Sequence, residues 1–413
     1  MMVNEKMYQL GSVRSAIREL FEYGKERAKI VGAENVYDFS IGNPSIPAPE
    51  IVNETIRDLT LNCDSVALHG YTSAQGDIET RQAIADFLNK THGTNFNADN
   101  FYITMGAAAS LSLCFRALTT SEEDEFIAIA PFFPEYKVFV NASGAKLKVV
   151  PADTKEFQID FEVLESTINK NTKGIIINSP NNPSGAVYSE ETIKKLAALL
   201  SKKQEELGTK IFLIADEPYR EIVYDGIKVP FVTKYYENTL VCYSYSKSLS
   251  LPGERIGYVL VPDEASESKA LYAAIAGAGR ALGYVCAPSL FQKMIIKCQG
   301  QTGDIDAYKE NRDILYEGLT NIGYQCFKPD GAFYMFVKAL EDDSDAFCEK
   351  AKQPPESIGS LVRRYREQAM DYISSSDNYY EAIESRIATL RVDQRELGLR
   401  IDERASLDES LKG

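Results

Sequence analysis

The chain has 413 residues, 44% of them hydrophobic and 25% charged, which suits two domains or one large domain with an accessory lobe. Its formal net charge of -15 argues against non-specific binding to nucleic acid and against an anionic membrane surface. Seven scattered cysteines without a CxxC pair, and only two histidines, His69 and His92, argue against a zinc site and against a Ser-His or Cys-His catalytic pair.

The thiols read as reduced and buried, and the protein as cytoplasmic. The first residues carry no apolar run of a secretory leader, and no segment is apolar for long enough to span a membrane.

In chain order, residues 11–31 have the periodicity of an amphipathic helix, with Ile17, Leu20 and Phe21 on one face. Residues 36–41 read as a short strand, broken at the turn-rich loop that opens with Gly42. Gly42 reads either as a linker or as a place where a ligand approaches the backbone. Residues 50–60 are helical, and the loop at 69–77 holds Tyr71, a surface aromatic or a ligand contact. Asp77 then caps a helix over about 78–88.

From residue 101 strands and helices alternate. The pattern predicts strands at 101–105, 125–130, 146–150, 173–177, 210–215 and 240–243. Helices fall at 111–118, 138–142, 161–168 and 190–207. Continuous apolar strands between amphipathic helices predict an α/β fold with a mostly parallel sheet and helices on both faces. In such sheets ligands sit beyond the carboxyl ends of the strands. Five polar motifs lie at such ends: 106–110, 132–136, 181–185, 216–219 and 244–247. One shared site accounts for them better than five unrelated turns.

Lys247 stands in a serine-rich turn, eight residues before Arg255. Alone, it reads either as a solvated turn lysine or as a nucleophile whose pKa falls through desolvation and a neighbouring cation. The other motifs favour the nucleophile. Asp216 suits a pyridinium nitrogen, Phe133 a ring face, and Asn182 and Tyr219 a phenolic oxygen. Ser244, Arg255 and the N–H groups of Ala107 and Ala108 suit a phosphate. Pyridoxal 5'-phosphate meets every requirement.

Three segments carry a resemblance to a known family: Asn178-Ser-Pro-Asn-Asn-Pro-Ser-Gly185, Ala215-Asp-Glu-Pro-Tyr219, and Ser244-Tyr-Ser-Lys-Ser with Gly253-Glu-Arg-Ile-Gly-Tyr258. Gly70-Tyr-Thr-Ser-Ala-Gln-Gly76 adds a fourth. Over about residues 1–350 the chain resembles the fold-type I pyridoxal-phosphate aminotransferases of class I/II, in the aspartate aminotransferase superfamily. The resemblance implies Lys247 as Schiff-base lysine and proton shuttle, Asp216 at the ring nitrogen, and Asn182 and Tyr219 at the ring oxygen. It implies Phe133 on the ring, and Ala107, Ala108, Ser244 and Arg255 on the phosphate. A homodimer is implied, with Tyr71 reaching the partner subunit's phosphate, and Gly42 and Asn182 lie by the substrate. Arg280 falls where dicarboxylate-specific members read a substrate side chain; it reads equally as a surface arginine.

The implied organisation is an N-terminal arm and part of a small domain (1–45), a large cofactor domain (46–290), the rest of an α+β small domain (291–352), and an atypical helical tail (353–413). In that tail no residue matches by motif the arginine that grips the substrate α-carboxylate, and neither Arg386 nor Arg391 is assigned. The expected activity is transamination between an aspartate- or glutamate-like amino acid and a 2-oxo acid. The alternatives are a carbon–sulfur β-lyase on the same scaffold and a cofactor-binding protein inactivated by the changed tail.

Overall fold

The computed structural model describes residues 2–12, 16–36, 38–151 and 155–352. The chain forms two compact units, Met1–Lys338 and Ala339–Gly413. The first begins with helices α1 (Glu5–Ser12), α2 (Ala16–Val31), α3 (Glu50–Asn62), α4 (Ser65–His69) and α5 (Ile78–His92). The alternation follows: β1 (Phe101–Thr104), α6 (Ala107–Leu118), β2 (Glu125–Ile129), α7 (Glu135–Ser143), β3 (Lys146–Val150) and α8 (Phe161–Thr167). Next come β4 (Thr172–Asn178), α9 (Glu190–Leu207), β5 (Phe212–Asp216), β6 (Thr239–Ser244), α10 (Tyr245–Ser248) and β7 (Gly257–Leu260). Helices α11 (Ser268–Leu282), α12 (Ser289–Lys297) and α13 (Ile305–Asn321) complete it. In the second unit residues 339–352 are described and hold α14 (Ser344–Lys352), whose Lys350 pairs with Glu341 at 2.7 Å.

The seven strands form one sheet in the order β1-β7-β6-β5-β4-β2-β3. Strands β3, β2, β4, β5 and β6 run parallel. Strand β7 is antiparallel to both its neighbours, β1 and β6. Six carboxyl ends therefore share one edge.

Alternation with period two splits the apolar strand residues between two cores, one on each face. Ile175, Ile177, Leu213, Ala215 and Val241 enter one core. Ile176, Ile214, Leu240 and Cys242 enter the other. Each buried Ile, Leu or Val among them stabilises the sheet by about 1.5–3 kcal/mol relative to exposure. The helices that cover the sheet are capped as their sequences require. Asp77 accepts from Thr80 N at the start of α5, Ser189 from Thr192 N at the start of α9, and left-handed Gly93 and Gly208 close them.

Three expectations need correction. Residues 36–41 form no strand where they are described, because Asp38 accepts from the backbone and hydroxyl of Ser40, a local turn that competes with sheet pairing. Of the helix expected over residues 11–31, α2 covers 16–31 and α1 ends at Ser12, and residues 13–15 lie outside the described residues. Helix α6 starts at Ala107 rather than 111, since its alanines extend the helix back to Gly106. The cysteines are free, but only Cys114, Cys242 and Cys298 are buried, whereas Cys63 and Cys348 are exposed. The expectations for residues 353–413 lie outside the described residues.

Candidate active site

The carboxyl edge of the sheet gathers the predicted motifs. Asp216 ends β5 at 4% exposure, in a setting built by neighbouring strand ends. Asn178, at the end of β4, donates to the Asp216 carbonyl at 2.8 Å and accepts from Asn182 N at 2.6 Å. One side chain thereby ties the Asn182 loop to β5. The Tyr136 hydroxyl of α7 donates to Asp216 Oδ2 at 2.5 Å. Oδ1 is buried with no hydrogen-bond partner. Burial drives the carboxyl up to about 7, against the Tyr136 hydrogen bond, with Glu217 adding to the rise.

Lys247 lies in α10, directly after β6. Its Nζ donates to Gly42 O at 2.5 Å and lies 5.3 Å from the Phe333 ring centre and 6.0 Å from that of Tyr219. Desolvation, then the charge of Arg255, lowers its pKa to about 8. About one molecule in ten is then neutral at pH 7, against roughly one in three thousand for an ordinary lysine. The Tyr219 hydroxyl lies 2.7 Å from that of Tyr334 and beside Asn182. Gly42 is obligatory here: a Cβ would fall 2.0 Å from the Tyr334 oxygen.

A cationic cradle lies at the start of α6. Gly106 has φ 89° and ψ 173°, and no side chain caps the helix. Ala107 and Ala108 are its first two residues, half-buried. Arg255 lays its guanidinium against Gly106 and donates to Met105 O at 3.0 Å and Pro252 O at 2.9 Å. Ser244 is buried, its hydroxyl 2.7 Å from that of Ser246. Backbone N–H groups, the positive end of a helix and an arginine form an anion site.

Phe133 is half-buried and meets Tyr136 edge to face at 5.8 Å. Tyr71 and Arg280 stand apart. Tyr71 is 100% exposed in the loop after α4, and Arg280 is exposed in the last turn of α11. Among the described residues, no side-chain hydrogen bond or ion pair ties either to the Lys247 cluster.

Sequence reasoning missed Asn178, Tyr136, Phe333 and Tyr334 as members of the site. Tyr136 fell inside a motif already placed at a strand end, and Asn178 opened the segment 178–185 with no role assigned to it. Phe333 and Tyr334 lay in an apolar run with nothing to mark them.

The arrangement fits pyridoxal phosphate at both ends. The orphaned Asp216 oxygen is an acceptor for a protonated ring nitrogen, and the α6 cradle supplies donors for a phosphate. A half-buried, partly neutral amine belongs to the same cluster.

The family model for aminotransferase class I and II matches residues 30–364. The probable N-acetyl-LL-diaminopimelate aminotransferase of Bacillus subtilis is 30% identical over 310 residues, 73% of this chain and 74% of that protein. The probable aspartate/prephenate aminotransferase of Aquifex aeolicus is 31% identical over 333 residues, 76% of this chain and 78% of that protein. The crystal structure of an amino transferase from Eubacterium rectale is similar with a TM-score of 0.84 and 81% identity, covering 85% of this chain and 88% of that one. That of the Thermotoga maritima aspartate aminotransferase is similar with a TM-score of 0.73 and 27% identity, covering 84% and 88%. The chain belongs to the aminotransferase class I and II family.

Proposed function

We propose that this aminotransferase moves an amino group from an aspartate- or glutamate-like donor to a 2-oxo acid, with pyridoxal 5'-phosphate as cofactor. The observation that carries the reading is the unpartnered, buried Oδ1 of Asp216, in one cluster with a lysine of pKa about 8. A buried carboxylate oxygen without a partner is costly and calls for a donor. The cofactor, when bound, supplies a carbonyl that condenses with amines and a ring that takes up electrons from the amino acid's Cα.

The residues divide the work. Lys247 Nζ attaches the cofactor and moves the proton that leaves Cα. Asp216 holds the ring nitrogen protonated, and Asn182 and Tyr219 hydrogen-bond the ring oxygen. Phe133 covers the ring face, and Ala107, Ala108, Ser244 and Arg255 hold the phosphate. Tyr71 reaches the phosphate from a second copy of the chain. Gly42 borders the substrate carboxylate, and Arg280 reads a side-chain carboxylate. Two relatives named aspartate aminotransferase, from Thermotoga maritima and Pyrococcus horikoshii, support the dicarboxylate preference.

The test is a donor panel with 2-oxoglutarate as acceptor. Aspartate is expected to convert the Lys247-dependent visible absorbance into that of the aminated cofactor. Arg280→Gln is expected to lower kcat/KM for aspartate by about 10–100-fold, the loss of one charge-assisted hydrogen bond, and to spare alanine. Equal losses for both donors would remove Arg280 from the site. Pyruvate released from a cysteine conjugate, with no amino transfer, would replace the reading with a β-lyase.

A further inference from the structure

Tyr136 is the side chain in this site whose partner and burial leave it one task. It is fully buried in α7, and burial, then the Asp216 charge, holds its hydroxyl well above the usual tyrosine range. The hydroxyl is therefore neutral, and its proton points at Asp216 Oδ2, 2.5 Å away. The other carboxylate oxygen has no partner. The contact joins residues 80 positions apart, so it comes from α7 packing against the end of β5 and not from a local turn.

A carboxylate at a strand end can rotate about its last torsion, a soft and roughly two-fold one. A donor at one oxygen removes that freedom. We propose that Tyr136 is a positioning residue of the aminotransferase site: its hydroxyl occupies Oδ2 of Asp216, fixes the carboxyl plane, and leaves Oδ1 as the oxygen that meets the cofactor's ring nitrogen. This rests on the pyridoxal-phosphate reading for its ligand, but the Tyr136–Asp216 contact can be tested without it.

The same contact favours the ionised form of Asp216 in a place where burial opposes it. Tyr136 from α7 and Glu217, next to Asp216 in the chain, act on this carboxyl, whose charge in turn raises Tyr219 after β5, Cys242 from β6, and Tyr334. Of these, Glu217 is also held by Arg220 at 2.5 Å. Among the described residues, Tyr136 is the one hydrogen-bond donor that lowers the Asp216 value. Its ring meets Phe133 edge to face, so the residue that would cover the ring and the residue that would anchor its nitrogen share a support.

The test is a double-mutant cycle in the full chain with Tyr136→Phe and Asp216→Asn, read by cofactor titration across pH. Tyr136→Phe is expected to weaken pyridoxal-phosphate binding by about 10–100-fold, the range for a lost hydrogen bond to a charged group. In the Asp216→Asn background the same change is expected to cost little, because the two residues act as one. Equal losses in both backgrounds would overturn the proposal and leave Tyr136 as packing.

A second readout needs no cofactor. Asp216 titrates near 7 folded against 3.8 unfolded, so folding stability falls as pH rises between those values. Without the Tyr136 hydroxyl the folded value moves higher and the fall continues above pH 7. The gap in Tm between wild type and Tyr136→Phe is expected to widen from pH 6 to pH 8. A constant gap would overturn the contact. Should wild type fail to bind pyridoxal phosphate while the gap still widens, the cofactor reading falls and the Tyr136–Asp216 device stands.

Discussion

Asp216 and Tyr71 are assigned to one cofactor site, yet the first is 4% exposed and the second 100%. Around Asp216 every neighbour is fixed by the core. Asn178, Tyr136 and Glu217 come from strand ends or from a helix packed on the sheet. Around Tyr71 the chain offers solvent, and the exposed Leu61, Val66 and Ile78 lie within ten residues of it along the chain. The difference separates two ways of building a site. The strand-end half is held by the stability of a single chain, so its geometry exists before any ligand arrives. The loop half has no such hold, and its assigned role requires a second copy of the chain.

The sharpest break falls on Lys247. Lys247→Ala is expected to abolish both the visible absorbance of the bound cofactor and amino transfer, with only a small change in Tm, since the side chain is half-buried and Nζ makes one hydrogen bond, to Gly42 O. In wild type, the rate of cofactor capture is expected to rise with pH and level off above about 8, as the lowered lysine becomes neutral. Stopped-flow mixing of the cofactor-free protein with pyridoxal phosphate measures it. A midpoint near 10 would mean that burial and Arg255 do not act on this amine.

Gly106→Ala tests whether the cradle is as rigid as its burial implies. The backbone at Gly106, φ 89° and ψ 173°, lies in a region open almost only to glycine, and a Cβ would fall 2.8 Å from the Arg255 guanidinium. The expected loss of stability is about 1–3 kcal/mol, with a further loss of cofactor affinity as Arg255 is displaced. Gly208→Ala is the control. Its φ is 66° with nothing within 4 Å of the added atom, so it is expected to lower Tm and leave cofactor affinity alone. A cradle variant that behaved like the control would show that Arg255 does not depend on its seat.

The two halves were also unequally legible in the sequence. Strand ends were easy to place, because β4, β5 and β6 are apolar on both faces and stop at Asn, Asp and Ser. The sequence alone therefore places the five motifs on one edge. Two things were hidden. The partner of Asp216 lies 80 residues away and that of Tyr219 lies 115 away, and no local pattern encodes either contact. Strand direction was hidden as well: β7 is as apolar as its parallel neighbours, yet runs against them. At 36–41, hydrophobic alternation gave a strand that the Asp38–Ser40 turn prevents.

The smallest expected effect tests the exposed half. Tyr71→Phe is expected to weaken cofactor binding by about 2–10-fold, the range for one net neutral hydrogen bond, with no change in Tm. The informative measurement mixes subunits. In a hybrid of a Tyr71→Phe protomer with a Lys247→Ala protomer, one site has Lys247 in its own chain and can receive an intact Tyr71 only from the partner. If Tyr71 acts across the interface, that site recovers wild-type affinity. If it acts within its own chain, the site stays weak. The second outcome would place an exposed side chain among the groups a single chain positions, and the contrast between the buried and the exposed half would no longer divide one chain from two.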